Sequence, residues 1–232
     1  MNEWRTSSAG VTRLADVRRV PRTLGEVVRA FLRYGSPRLL VVQLACAAAA
    51  RPFLDAPGTG DAIVLLAVAI YWPVQEWVLH RWVLHAPPLR FGRFVHEIGP
   101  ARGHRRHHEH PLEPQWTVLP AWMIAVMIPI HVTLWLAIAP SPSVACTGIA
   151  ALGAAALSYE WIHFFTHTAY RPRTPWFREV KRRHLAHHFQ DPERWFAFAV
   201  PAVDDWLGTG ARASGLRRVA ALAARASRER RL

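Results

Sequence analysis

The sequence predicts an all-α, polytopic membrane protein, with about four transmembrane helices and a cytosolic, histidine-rich helical cap. Three observations predict it. Long apolar runs alternate with polar segments along 232 residues that are 51% hydrophobic and include 11 Trp. The basic residues fall almost entirely in segments that this topology places on one side. Ten of the 13 histidines gather in four short boxes at or just beyond the inner ends of two of the apolar runs.

The net charge of +13, from 29 Lys+Arg against 16 Asp+Glu, raises nucleic acid as a partner. That class is excluded by where the charge lies, because it follows topology and not one reading helix. Cys46 and Cys146 both sit inside apolar runs without CxxC spacing. They imply neither a disulfide framework nor a thiolate metal site.

Residues 1–22 are polar and Arg-rich and read as a disordered basic N-terminus. They lack the early apolar stretch of a cleavable signal peptide. The membrane-embedded domain covers 23–210. Thr23-Leu24-Gly25-Glu26 has capping-box spacing, and Leu24, Val27, Val28, Phe31 and Leu32 follow helical periodicity. This is an amphipathic helix, lying in the membrane interface or packed on the protein.

Ser36-Pro37 reads as an N-cap with proline at the first helical position, opening a span over 38–51 that contains Gln43. That run is shorter than the ~20 residues a bilayer asks for. It counts as a span because the topology then closes. The second span, 62–85, follows Asp61 as N-cap and carries Pro73 inside it. The third, 116–139, contains Pro120 and Pro129, and the fourth, 143–165, follows the turn at Ser141-Pro142. A cap helix over 174–190 begins at Thr174-Pro175. Residues 211–232 form a basic C-terminal tail, either an amphipathic surface helix or a solvated segment.

Four spans put both termini and loop 86–115 on one side. Eight Arg lie in 1–38, five in 86–115, and fourteen Lys+Arg in 168–232, leaving only Arg51 and Arg81. The positive-inside rule makes that side cytoplasmic.

The histidines form a parallel internal repeat. Gln75-Glu76-Trp77-Val78-Leu79-His80, followed by His85, is echoed by Tyr159-Glu160-Trp161-Ile162-His163, followed by His167. Each pair leads to an HxxHH, at His104, His107 and His108 and at His184, His187 and His188. Neutral imidazole is the commonest side-chain metal ligand, and histidines at i, i+3 and i+4 share one side of a helix. His163 and His167 lie ~40° apart on a regular helix, whereas His80 and His85 lie ~140° apart. The second pair can meet one ion only if its helix distorts. Adjacent His107/His108 and His187/His188, ~100° apart, suit two neighbouring ions. Five nitrogens per ion leave an octahedral metal one free position, which favours iron over zinc, since structural zinc closes at four ligands. Glu76 and Glu160 are candidates to accept a hydrogen bond from a ligand's other ring nitrogen. Asp191, Asp204 and Asp205 are weaker candidates, and Trp195, Phe196 and Phe198 suit an acyl pocket or an interfacial aromatic belt. His96, His110 and His131 stand outside the pattern.

The series His80-Arg-Trp-Val-Leu-His85, His104-Arg-Arg-His107-His108, His163-Phe-Phe-Thr-His167 and His184-Leu-Ala-His187-His188 resembles the fatty acid hydroxylase superfamily, also called the sterol desaturase family. The resemblance covers roughly 61–210 and is nearest to fatty acid 2-hydroxylase-like members, including the closing segment PAVDDWLGTG. It implies a membrane-embedded dimetal centre, usually di-iron with zinc as the alternative, that uses O2 to oxidise a C–H bond of a lipid. It implies as ligands His80, His85, His104, His107, His108, His163, His167, His184, His187 and His188. It further implies hydroxylation or desaturation, most simply of a fatty acyl chain, and a separate electron donor, either cytochrome b5-like or a ferredoxin with its reductase. Sterol and carotenoid oxidation are the alternatives within the family. A metal transporter or sensor is the alternative outside it. One departure stands out: Thr168 follows His167 where many members carry a second adjacent histidine.

Overall fold

In the computed structural model the described residues are 20–210. Residues 1–19 and 211–232, which hold most of the basic N-terminus and the tail, lie outside them.

The chain enters through α1 (Leu24–Phe31), closed by the expected capping box: Thr23 Oγ1 accepts from Glu26 N at 3.3 Å, and Glu26 Oε2 accepts from Thr23 N at 3.1 Å. The helix packs on the protein through one face. Val27 and Phe31 are buried against Phe164 and Phe165, while Leu24, Val28 and Leu32 stay exposed.

Next comes α2 (Gly35–Ala50), which starts earlier than expected. Its N-cap is Tyr34, with no side-chain bond, and Ser36 is buried inside the first turn. Gly35 packs so closely on Ala121 that a side chain there would collide with it, and this contact sets the entry. At 16 residues α2 rises ~24 Å, short of a ~30 Å hydrocarbon core. Its one buried amide is satisfied by another helix: Gln43 Nε2 donates to Ile149 O at 2.9 Å.

Three helical segments are long and apolar enough to cross a membrane: Thr59–Leu84, Pro114–Ile138 and Pro142–Thr166. The first contains α3 (Thr59–Val78), whose N-cap is Gly58 and not Asp61. Asp61 lies a turn further in, accepting from Gly58 N at 2.8 Å and from the Thr147 hydroxyl, with Arg51 3.6 Å away. A carboxylate at that depth satisfies the first turn's free N–H and ties α3 to its neighbour. Beyond α3 the helix widens into a π-turn over Leu79–Leu84.

Loop 86–115 holds an unpredicted feature, a small antiparallel hairpin of β1 (Leu89–Phe91) and β2 (Phe94–His96), turning at Gly92 with φ +58°. After it comes α4 (Gly99–Glu109), which carries the first HxxHH. A short 3-10 turn at Pro114–Trp116 precedes α5 (Ala121–Ile138). Pro120 caps α5 instead of lying within it, because its extended ψ of 130° cannot continue a helix.

The longest helix is α6 (Pro142–Thr166), capped by Ser141 and packed against α2, α3 and α5. After it, α7 (Pro175–Phe189) begins as expected, with Thr174 accepting from Phe177 N at 3.3 Å, and carries the second HxxHH. A short α8 (Ala202–Trp206) follows.

Large apolar side chains face outward along the crossing helices, among them Leu66 and Ile70 on α3 and Leu136 and Ile138 on α5. On α5 only Ile124 is buried. A helix apolar all round with so little protein cover belongs in lipid. The protein is an integral membrane protein.

Candidate metal centre

The four histidine boxes converge. Their ligand nitrogens form two groups of five, each within 4.8 Å: His80, His85, His104, His108 and His187 in one, His107, His163, His167, His184 and His188 in the other. All ten predicted histidines are used. His96 and His110 are exposed and His131 lies within α5, outside both groups.

Helix geometry explains the partition. In each HxxHH the i and i+4 rings share a face and enter one group, while the i+3 ring points across to the other. Thus α4 sends His104 and His108 to the first group and His107 to the second. The reverse holds for α7, with His184 and His188 in the second group and His187 in the first. His163 and His167, at i and i+4 near the end of regular α6, enter one group together. His80 and His85 do so only because of the π-turn, in which His85 N donates to His80 O at 3.1 Å, an i to i+5 bond. The required distortion is there.

The nitrogens contact each other directly. His104 Nε2 lies 3.1 Å from that of His80, 3.0 Å from His85 and 3.1 Å from His108. His187 closes the ring at 3.1 Å from His85 and 3.2 Å from His108. In the second group His163 meets His107 at 2.9 Å, and His184 meets His167 at 2.7 Å and His188 at 3.0 Å. One nitrogen carries at most one proton, so three close nitrogen neighbours around His104 cannot all be hydrogen bonds. A cation drawing all five lone pairs resolves the conflict. At a metal–nitrogen bond of ~2.1 Å, adjacent ligands of an octahedral ion lie roughly 3.0 Å apart and those of a tetrahedral ion roughly 3.4 Å. The observed spacings suit the former, and the donor set fits a metal.

Protonation agrees. Burial, reinforced by neighbouring rings, holds His104, His107, His108, His184 and His188 well below the usual imidazole range. Burial likewise takes His85 down to about 2 and His187 to about 3. At neutral pH these rings are uncharged and have lone pairs to give.

Glu76 and Glu160 do not meet the ligand rings. Glu76 Oε1 accepts from Phe198 N at 2.9 Å and Ala199 N at 2.6 Å, and Glu160 Oε1 accepts from Leu119 N at 2.9 Å. The contacts expected of them are made by backbone carbonyls: His80 Nδ1 donates to Phe196 O at 2.7 Å and His187 Nδ1 to Arg194 O at 2.6 Å. Phe196 and Phe198 are buried against the rings, with Phe198 stacked on His80 at 5.1 Å, so they wall the metal groups and belong to no aromatic belt. Asp191 pairs with Arg194 at 2.9 Å and Asp205 with Arg183 at 3.1 Å. Asp204, one of the weaker candidates, is fully buried, and its sequence signal is its place in the closing segment before Gly208-Thr209. Thr168, the departure, ends α6 by donating to Phe165 O at 2.8 Å.

A cavity of about 320 Å3 opens beside the groups. Its wall includes His104 of the first group and His163 of the second, with Leu84, Val118, Tyr159 and Ala121.

The family model for fatty acid hydroxylase matches residues 65–209. The chain belongs to the fatty acid hydroxylase family. Dihydroceramide fatty acyl 2-hydroxylase FAH2 of Arabidopsis thaliana is 28% identical over 107 residues, which are 46% of this chain and 44% of that protein. The chain thus matches less than half the length of this relative. The solved structure of full-length scs7p, in which only the hydroxylase domain is visible, shares the fold with a TM-score of 0.54. It is 18% identical, and the match covers 83% of this chain and 68% of that one. The family match and the convergent boxes agree on the same stretch of chain, whose histidine clusters are able to bind metal.

Proposed function

We propose that the chain is a membrane-bound, O2-dependent dimetal oxygenase that hydroxylates a fatty acyl chain of a lipid. The observation that carries this reading is the pair of five-histidine groups meeting at one cavity. The ten histidines would hold two metal ions, five nitrogens to each, and an all-imidazole donor set of this kind suits iron. When bound, the metals supply the oxidising power that activates O2 and removes hydrogen from carbon.

The rest is positioning. The cavity takes an apolar chain against Leu84, Val118 and Ala121, where it passes both His104 and His163. Phe196 and Phe198 keep water from the ligand rings. Carbonyls at His80 and His187 hold the proton on Nδ1, leaving Nε2 bare. With α2 crossing beside the three longer helices, all four boxes and both termini face the cytoplasm, where basic segments collect and a separate cytochrome b5-like or ferredoxin-type donor can reach the centre. The acyl group of a dihydroceramide, named for the Arabidopsis relative, is the first substrate to try.

The test joins metal analysis of detergent-purified protein to lipid profiling of expressing cells. About two ions per chain and a hydroxylated acyl product that vanishes in His107→Ala are expected. Fewer than about one ion per chain, or lipids identical with and without His107→Ala, overturn the reading.

A further inference from the structure

The two metal groups are not held alike. In the first, two ligand rings hand their second nitrogen to backbone carbonyls of one segment, Phe196 O at 2.7 Å and Arg194 O at 2.6 Å. A carbonyl only accepts, so those rings carry hydrogen on Nδ1 and turn a bare Nε2 inward. In the second group Nδ1 of His107, His167, His184 and His188 is buried without a hydrogen-bond partner. The Thr117 carbonyl lies beside His163, and the Pro111 carbonyl lies near His167 without reaching bonding geometry.

The segment Arg194–Ala199 is itself latched from two sides. Asp204 Oδ1 accepts from Phe196 N at 2.8 Å and from Thr209 Oγ1 at 2.7 Å, and its Oδ2 accepts from Ala197 N at 3.1 Å. Glu76, one helical turn before His80 on α3, takes Phe198 N and Ala199 N. Thr209 links further, accepting from Trp77 Nε1 at 2.9 Å through its hydroxyl and from Trp195 N at 3.1 Å through its carbonyl. Trp195 is held at φ 58°, a left-handed conformation that a large aromatic residue takes only when its surroundings impose it. All this hydrogen bonding converges on the two carbonyls that orient His80 and His187.

We infer that the strap Arg194–Ala199, latched by Asp204, is a positioning device for one metal position only, so that the two positions differ in how firmly they hold an ion. Asp204 is its positioning residue and touches no ligand ring. The inference rests on the dimetal reading above. The position built on His80, His85, His104, His108 and His187 is preorganised and releases its ion slowly. The position built on His107, His163, His167, His184 and His188 exchanges faster, because four of its five rings have no hydrogen bond at Nδ1 to fix their orientation.

The test uses the full chain in detergent, loaded with Fe(II) under anaerobic conditions and mixed with excess chelator, reading ions released against time. Two phases are expected, one ion in each. Asp204→Asn puts an amide against backbone N–H groups. It is expected to speed the slow phase by about 10- to 100-fold, the usual range for a lost outer partner, and to leave the fast phase unchanged. His167→Ala is expected to abolish the fast phase and keep the slow one. If Asp204→Asn does not fold, Thr209→Val, which removes the hydroxyl shared by Asp204 and Trp77, is expected to give a smaller acceleration of the slow phase alone. Wild-type release in both phases, or equal acceleration of both, from whichever variant folds overturns the inference and leaves the dimetal reading standing. A wild-type chain that binds no ion overturns both.

Discussion

The halves of the histidine site descend from one repeated pattern and reach the same ligand count by different means. On α6 a regular helix brings His163 and His167 together at i and i+4. Just beyond α3 the extra residue between His80 and His85 is absorbed by a π-turn, and the paired rings still meet. The first group borrows carbonyls from a latched strap, whereas the second depends on burial alone for most of its rings. The contrast teaches that five convergent nitrogens are what both halves preserve, while the local backbone that delivers them is free to differ.

The comparison is broken most severely by removing a ligand. His104→Ala and His184→Ala each strike one group, and each is expected to cut product formation by more than about 100-fold, beyond the effect of losing an outer partner. If one variant keeps near-normal turnover, its group is not part of the reaction; product quantified per chain decides.

Filling the shared cavity sharpens the comparison from the substrate's side. Gly103 lines the cavity beside His104, and a side chain built there meets no atom within 4 Å. Gly103→Leu therefore grows into the slot, and roughly 10-fold lower acyl turnover is expected from the displaced chain. Metal content should be unchanged, and a variant that turns over normally would place the acyl chain elsewhere.

Acid treats the two halves alike. His85 and His187 titrate near 2 and 3 in the fold, below the ~6.5 of an unfolded histidine, and burial holds His107 and His184 down as well. Between those values the unfolded chain binds more protons, so stability falls as pH drops below ~6.5 and recovers above it. Metal-stripped protein should show this loss in thermal melts between pH 7 and 5. A melting point flat across that range would mean the rings are not buried neutral.

The smallest effect belongs to α1, remote from both groups. Thr23→Ala removes one half of the capping box and should cost ~1 kcal/mol, with metal content untouched. A change in metal content would tie α1 to the site through Phe31 and Phe164.

The parts legible in the sequence were those set by short-range periodicity. Thr174-Pro175 and Thr23/Glu26 mark helix starts because capping acts within one turn. The offsets within each HxxHH put adjacent rings ~100° apart, which suits two neighbouring ions. Asp61 and Ser36-Pro37 misled because a neighbouring helix, through Thr147 in one case and Ala121 in the other, fixed their surroundings. The hairpin at Gly92 is too short to show a strand pattern.

Membrane character and the ten histidines that gather were legible in the sequence alone, because hydropathy and helical phase are local properties. Which box pairs with which was decided only by tertiary structure. So were the π-turn that rescues His85, the replacement of Glu76 and Glu160 by carbonyls, and the role of Asp204. Several of these depend on residues more than a hundred positions apart meeting, as His80 meets Phe196 and Glu76 meets Phe198. Helical phase says which way a side chain points, and packing alone says what it finds there.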